Sequence, residues 1–165
     1  MNRAILITSI VLATALLVAL VQGWNPRTSE EQPEALAASF SLTDVETGEQ
    51  ITLSDYEDDT LVIHVFAGWC ALCTGTARSI AAYDDDFSVL LISADGRESD
   101  LDLISFKERH GRADWRVARL TPEFERDYSV RSLDTKYVIR DGAITYTDSR
   151  SWRVEDARRA IGESA

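Results

Sequence analysis

The sequence predicts an α/β domain: a central mixed sheet flanked by helices, with an extra N-terminal β-hairpin, preceded by one apolar N-terminal helix. Three observations carry this. Leu61-Val-Ile-His-Val-Phe66 is a short apolar run that stops at Gly68-Trp69 and leads into a helical stretch through Thr74, Arg78, Ile80 and Tyr83. Phe87–Ser93 is a second, nearly continuous apolar run, the pattern of a strand buried on both faces of a parallel sheet. Lys136–Ile139 and Ala143–Tyr146 flank Arg140-Asp-Gly142, the signature of an antiparallel hairpin.

At the N-terminus, Met1-Asn-Arg3 precedes an uncharged run, Ala4 to Val21, rich in Leu, Ile, Val and Ala. Eighteen helical residues cover roughly 27 Å, close to the hydrocarbon thickness of a bilayer. With Arg3 on the cytoplasmic side, residues 4–23 are expected to form a single-pass transmembrane anchor with the N-terminus in the cytoplasm and the domain outside the cell membrane. A cleaved signal peptide ending near Val21-Gln22-Gly23 is the rival reading, and it exports the domain equally. Residues 24–37, with Pro26, Pro33, Ser29 and a cluster of glutamates, read as a flexible tether. The domain is then 38–165.

Within the domain, Ser39–Thr43 and Gln50–Leu53 alternate apolar and polar residues around Asp44–Glu49, a hairpin with a longer loop. Asp84-Asp-Asp86 closes the helix that begins at the cysteines. Ser99 caps a second helix whose apolar side is expected to carry Leu101, Ile104, Phe106 and His110, ending at Gly111. Trp115–Ala118 is a short strand. Thr121-Pro122-Glu123 starts a third helix running to about Tyr128, with Thr121 as cap and Pro122 at its first position. A last helix spans Val154–Ile161.

The chain of 165 residues carries a net charge of −11, with lysine only at Lys107 and Lys136 and arginine fifteen times. Such a surface repels nucleic acid phosphates, so nucleic acid is excluded as a partner. An acidic, lysine-poor surface also fits a protein from a high-salt source, or simply a well-solvated one.

The only two cysteines, Cys70 and Cys73, lie two residues apart at the expected start of the helix. There the unpaired backbone N–H groups and the helix dipole favour the Cys70 thiolate. Cys73, one turn on, is near enough to close a disulfide. Three uses remain open: a redox pair, metal ligands or a structural bridge. A bridge over so short a loop removes little chain entropy. Zinc takes four ligands, and besides the cysteines the sequence offers only two distant histidines, His64 and His110.

Strand, Trp69-Cys70-Ala71-Leu72-Cys73 and helix together resemble the active site of the thioredoxin superfamily, most closely the membrane-anchored TlpA/ResA-like thiol–disulfide oxidoreductases, over about residues 38–162. The resemblance implies a thioredoxin-like fold and an enzyme that needs no cofactor beyond its redox-active disulfide. It also implies cysteine-containing protein substrates, such as an apocytochrome during cytochrome maturation, an oxidase subunit or a folding client, and a redox partner in the membrane. Cys70 would be the nucleophile and Cys73 the resolving thiol. His64 stands where thioredoxins carry a buried acid, and is expected to relay the Cys73 proton. Trp69, Leu133, Asp134 and Thr135 would face the substrate.

Two features depart from the family. The dipeptide between the cysteines is Ala71-Leu72, and Asp134 occupies the place of a cis-proline. A cis bond before a non-proline costs about 3 kcal/mol, so a trans backbone of different shape is expected there, with a carboxylate that disfavours the thiolate or becomes a ligand. Slippage of the alignment within a surface loop is the bland alternative. The chain also resembles, more loosely, Sco-type copper proteins, through Ser93-Ala-Asp95 and the membrane anchor. That reading makes Cys70, Cys73 and Asp134 copper ligands, although no histidine stands beside Leu133-Asp134. A non-catalytic thioredoxin-fold binding module is a third possibility. A peroxiredoxin reading fails, because the proline and threonine upstream of the reactive cysteine are absent.

Overall fold

The computed structural model describes residues 35–83 and 86–162. The expected transmembrane span lies outside them. Among the described residues no helix is long and apolar enough to cross a membrane.

Among the described residues, eight strands, four helices and one 3-10 turn follow in the order β1 (Ala35–Leu36), β2 (Ser41–Thr43), β3 (Gln50–Thr52), the 3-10 turn (Leu53–Tyr56), β4 (Leu61–Phe66), α1 (Ala71–Ala82), β5 (Ser88–Ser93), α2 (Asp100–His110), β6 (Arg116–Arg119), α3 (Pro122–Asp127), β7 (Thr135–Arg140), β8 (Ala143–Asp148) and α4 (Val154–Gly162). Six strands form one sheet in the order β1-β8-β7-β4-β5-β6, with β4–β5 and β5–β6 parallel and the rest antiparallel. The thioredoxin-like mixed sheet is thus as expected, and β2–β3 form the extra hairpin.

Caps set the helix starts. The Ser99 hydroxyl accepts from Asp102 N–H while the Asp102 carboxylate accepts from Ser99 N–H, a reciprocal capping box. Thr121 caps α3 with Pro122 in its first turn. At the last hairpin Asp141 and Gly142 both have positive φ, 49° and 73°, which a two-residue turn between right-twisted strands requires.

Alternation along the central strands divides the core in two. Val62, Phe66, Val89, Leu91 and Val138 face α1, α2 and α4 through Cys73, Ala77, Ile80, Phe106, Trp152 and Ala157. Ile63, Val65, Leu90, Ile92 and Ile139 face the N-terminal hairpin and α3 through Leu42, Ile51, Phe124 and Tyr128. His64 and Lys136 sit opposite each other in the β4–β7 register, so they break the apolar pattern at one spot.

Two expectations are corrected. The buried stripe of α2 is Leu103, Phe106 and Lys107, while Leu101 is 77% exposed. Leu101 and Leu103 lie on nearly opposite sides of a helix, and only the i, i+3, i+4 set starting at Leu103 meets the sheet. The end of the expected tether is also ordered: Ala35–Leu36 pairs with β8, and Ala37 N–H donates to Gly142 O. This edge is made by backbone pairing, since the Leu36 side chain is exposed, and it leaves no apolar signal in the sequence.

Candidate functional site

Strand β4 ends at Phe66, and Ala67-Gly-Trp69 carries the chain from its C-terminal end to Cys70, the N-cap of α1. Cys70 and Cys73 form a disulfide. Cys73 N–H donates to Cys70 Sγ at 3.1 Å, so one of the orphan amides of the first helical turn is directed at the sulfur. A thiolate there gains that bond and the positive end of the helix dipole. Cys73 is fully buried, and Cys70 nearly so.

Beneath Cys73 lies a buried polar cluster. His64 Nε2 is 2.9 Å from Asp134 Oδ1, and because a carboxylate accepts only, the N–H is on Nε2. The other ring nitrogen, Nδ1, is buried with no hydrogen-bond partner among the described residues. Asp134 Oδ2 accepts from the Thr76 hydroxyl at 3.1 Å, and that hydroxyl accepts from Trp152 N–H at 3.0 Å. Lys136 Nζ donates to Asp134 O at 2.6 Å, to Arg150 O and to Asp148 Oδ1 at 3.1 Å, and sits 5.2 Å above the Trp152 ring. The ligand atoms of His64, Cys73 and Asp134 all lie within 4.8 Å of one another.

Burial holds His64 below its ordinary pKa, since desolvation of the imidazolium outweighs the pull of Asp134, so the ring is neutral near pH 7. Burial likewise lowers Lys136 against the attraction of Asp134 and Asp148. For Asp148 burial works in the opposite sense, yet hydrogen bonds from Tyr146 and Lys136 hold its pKa below the usual carboxylate value.

Asp134 is where the chain departs most from the expected pattern. The described residues contain no cis peptide bond, and Asp134 has φ +60, the left-handed region that Asp tolerates better than most residues. Its N–H donates to Val65 O at 2.9 Å, a bond that proline has no donor to make. The side chain turns inward and is 2% exposed, so it is not part of a surface loop. Its carboxylate points into the core, toward His64 and Thr76. Thr135 is also buried, its hydroxyl donating to Ser132 O, and Leu133 is half-buried against the core. The exposed apolar groups at the disulfide are Trp69, 67% exposed, and Leu72, 62% exposed.

A second polar network grips the chain just before Cys70. Gly68 N–H donates to Glu98 Oε1 at 2.5 Å, and Ser93 Oγ donates to Glu98 Oε2 at 2.7 Å. A Cβ on Gly68 would come within 2.8 Å of that carboxylate oxygen, so a side chain here would push the Glu98 carboxylate aside. Trp69 Nε1 donates to Asp95 Oδ2 at 2.9 Å, and Arg97 closes on the same carboxylate. That guanidinium holds Asp95 well below the usual carboxylate range.

The structure therefore unites Cys70, Cys73, His64 and Asp134 and leaves His110 aside, where its Nδ1 accepts from Arg78 on the exposed side of α1. Sequence reasoning missed Thr76, Lys136 and Glu98. Lysine scarcity was the available signal: both lysines of the chain are buried, each against a carboxylate.

The profile of the AhpC/TSA family matches residues 33–146. The chain belongs to the AhpC/TSA family. This is a redoxin family of thioredoxin-like thiol–disulfide oxidoreductases. Among solved structures, a thioredoxin-like protein from Aeropyrum pernix is 18% identical with a TM-score of 0.67, over 76% of this chain and 89% of that one. A thiol:disulfide interchange protein of the thioredoxin family from Chlorobium tepidum is also 18% identical with a TM-score of 0.67, over 78% of this chain and 94% of that one. Copper-bound ScoI from Arabidopsis thaliana is 16% identical with a TM-score of 0.63, over 74% of this chain and 93% of that one. At such identities the likeness concerns the fold. No curated protein matches the chain.

Proposed function

We propose that this redoxin is a membrane-tethered, extracytoplasmic enzyme that exchanges disulfides with the cysteines of other proteins through Cys70 and Cys73. The observation that carries the reading is a disulfide at the N-terminus of α1 standing over a buried, neutral His64 held by Asp134. In the reducing direction the Cys70 thiolate attacks a client disulfide, forming a mixed disulfide and releasing one client thiolate. Cys73 then loses its proton to the free lone pair of His64 Nδ1 and attacks Cys70 Sγ, releasing the second client thiol. Two electrons pass to the client and the Cys70–Cys73 disulfide re-forms. The oxidising direction is the reverse. Asp134 keeps the proton on Nε2 and so leaves Nδ1 as the base. Trp69 and Leu72 offer an exposed apolar rim for a client peptide beside the sulfurs.

The electrons reside in the dithiol, so no organic cofactor is called for. With the domain outside the membrane, a membrane redox partner resets the pair. The apolar run at residues 4–23 supports the tether. The Sco-like copper reading and the non-catalytic module are the alternatives. Asp134 weighs against copper, because a buried hard carboxylate suits Cu(I) poorly.

The test is redox equilibrium of the full chain in detergent with a thiol buffer, read by Trp69 fluorescence. Reversible two-electron cycling is expected. A potential near roughly −270 mV marks a reductase and one near about −120 mV an oxidant. Failure to cycle would overturn the reading.

A further inference from the structure

The polar cluster under Cys73 has more donors than a proton relay needs. His64, Cys73 and Asp134 are all buried, and their ligand atoms fall within 4.8 Å of one another. Cys70 Sγ is bonded to Cys73 Sγ, so it joins the same group once the bridge is opened. The ring of His64 keeps a buried nitrogen with no partner among the described residues. On zinc binding that nitrogen would carry the ring proton, because Nε2, 2.9 Å from Asp134 Oδ1, is the one placed to share an ion with the carboxylate. The inward turn of Asp134, at φ +60, brings the carboxylate to the sulfur side of the sheet.

We propose that the reduced protein binds a zinc ion between Cys70, Cys73, His64 and Asp134, and that this ion takes the dithiol out of disulfide exchange. Two thiolates, an imidazole and a carboxylate are a four-coordinate zinc set. The carboxylate selects the borderline divalent ion over Cu(I), which prefers sulfur alone. Charge also balances: two thiolates, one carboxylate and Zn²⁺ sum to −1, and the Lys136 ammonium, 3.7 Å from Asp134 Oδ1, offsets it. The outer contacts are in place, with Thr76 holding Asp134. The chemistry is closed: a reductant delivers two electrons and two protons to the disulfide, and zinc then displaces the two thiol protons to solvent.

The inference does not rest on the exchange reaction; it requires only that a chemical reductant opens the bridge. The experiment titrates the full chain in detergent, reduced with a phosphine and freed of air, with Zn²⁺ against a chromophoric chelator. One ion per chain is expected, with both thiols protected from alkylation and no binding to the oxidised form. His64→Ala and Asp134→Asn are each expected to weaken binding at least about tenfold. Because either variant could fold poorly, Co²⁺ is also bound to the unsubstituted chain. Tetrahedral d–d bands, thiolate charge-transfer bands and a paramagnetically shifted imidazole proton are expected. Unchanged affinity in both variants, or a cobalt site with no shifted imidazole proton, would overturn the proposal in favour of a plain dithiol chelate. Cycling in thiol buffer with chelator present is measured separately, so loss of the zinc site and loss of the exchange activity are distinguishable.

Discussion

Two polar networks meet the Cys70–Cys73 disulfide, and they differ in burial. The inner one, His64, Thr76, Asp134 and Lys136, lies in the core under Cys73. The outer one, Asp95 and Glu98, grips Trp69 and Gly68 at the surface before Cys70. Both use carboxylates at hydrogen-bond distance. In the core a lost partner leaves a group with no water to replace it, whereas at the surface solvent steps in. The inner network should therefore govern stability and proton transfer, and the outer one only the pose of Trp69.

The largest expected effect lies at the sulfurs themselves. Cys70→Ser should abolish exchange, while Cys73→Ser should still attack a client and then stall, accumulating a mixed disulfide visible on a non-reducing gel. Stalling by Cys70→Ser instead would reverse the assigned roles.

Next comes Asp134→Ala, which strands His64 and Thr76 and removes the carboxylate 3.7 Å from Lys136 Nζ. Leaving a buried hydrogen-bonding group without its partner costs about 1–3 kcal/mol, to be read from urea unfolding of the oxidised protein. A loss well below about 1 kcal/mol would mean that the inner cluster is hydrated and the contrast between the networks is false.

A smaller effect is expected in the pH dependence of stability. The folded-state pKa of His64 lies below the ordinary 6.5 because of burial. The unfolded chain thus takes up this proton at a higher pH than the folded one. Stability from keeping the ring neutral is complete above about pH 6.5 and is lost as pH falls from there toward the folded value. His64→Gln should flatten that stretch of the curve. Asp148 acts lower, its contribution lost as pH falls below the ordinary 3.8. Smallest of all, Asp95→Asn should alter Trp69 fluorescence and leave the unfolding midpoint in place. If it destabilised the protein as much as Asp134→Ala does, burial would not be the distinction.

What could be read from the sequence was local. The strand–Cys-x-x-Cys–helix unit, the Asp141-Gly142 turn and the Ser99 and Thr121 caps each rest on a few adjacent residues, and each stands where expected. His64 was placed through the resemblance, by its position six residues before Cys70 on the strand. Asp134 could be located but not oriented, because its inward turn depends on a positive φ and on a bond to Val65 O across the sheet. Thr76 and Lys136 join the cluster only through packing of α1 and β7 on β4. For Leu101 and Leu103 the apolar pattern was ambiguous between two sides of α2, and tertiary contact decided it.

The claim at the centre is that the inner network moves the proton of Cys73. Its most direct test is the pH–rate profile for resolution of a mixed disulfide on Cys70, measured with chelator present, for the unsubstituted chain, His64→Ala and Asp134→Asn. The account predicts slower resolution in both variants, with the inflection of the profile displaced toward the ordinary thiol range. Profiles that superimpose on that of the unsubstituted chain would contradict it.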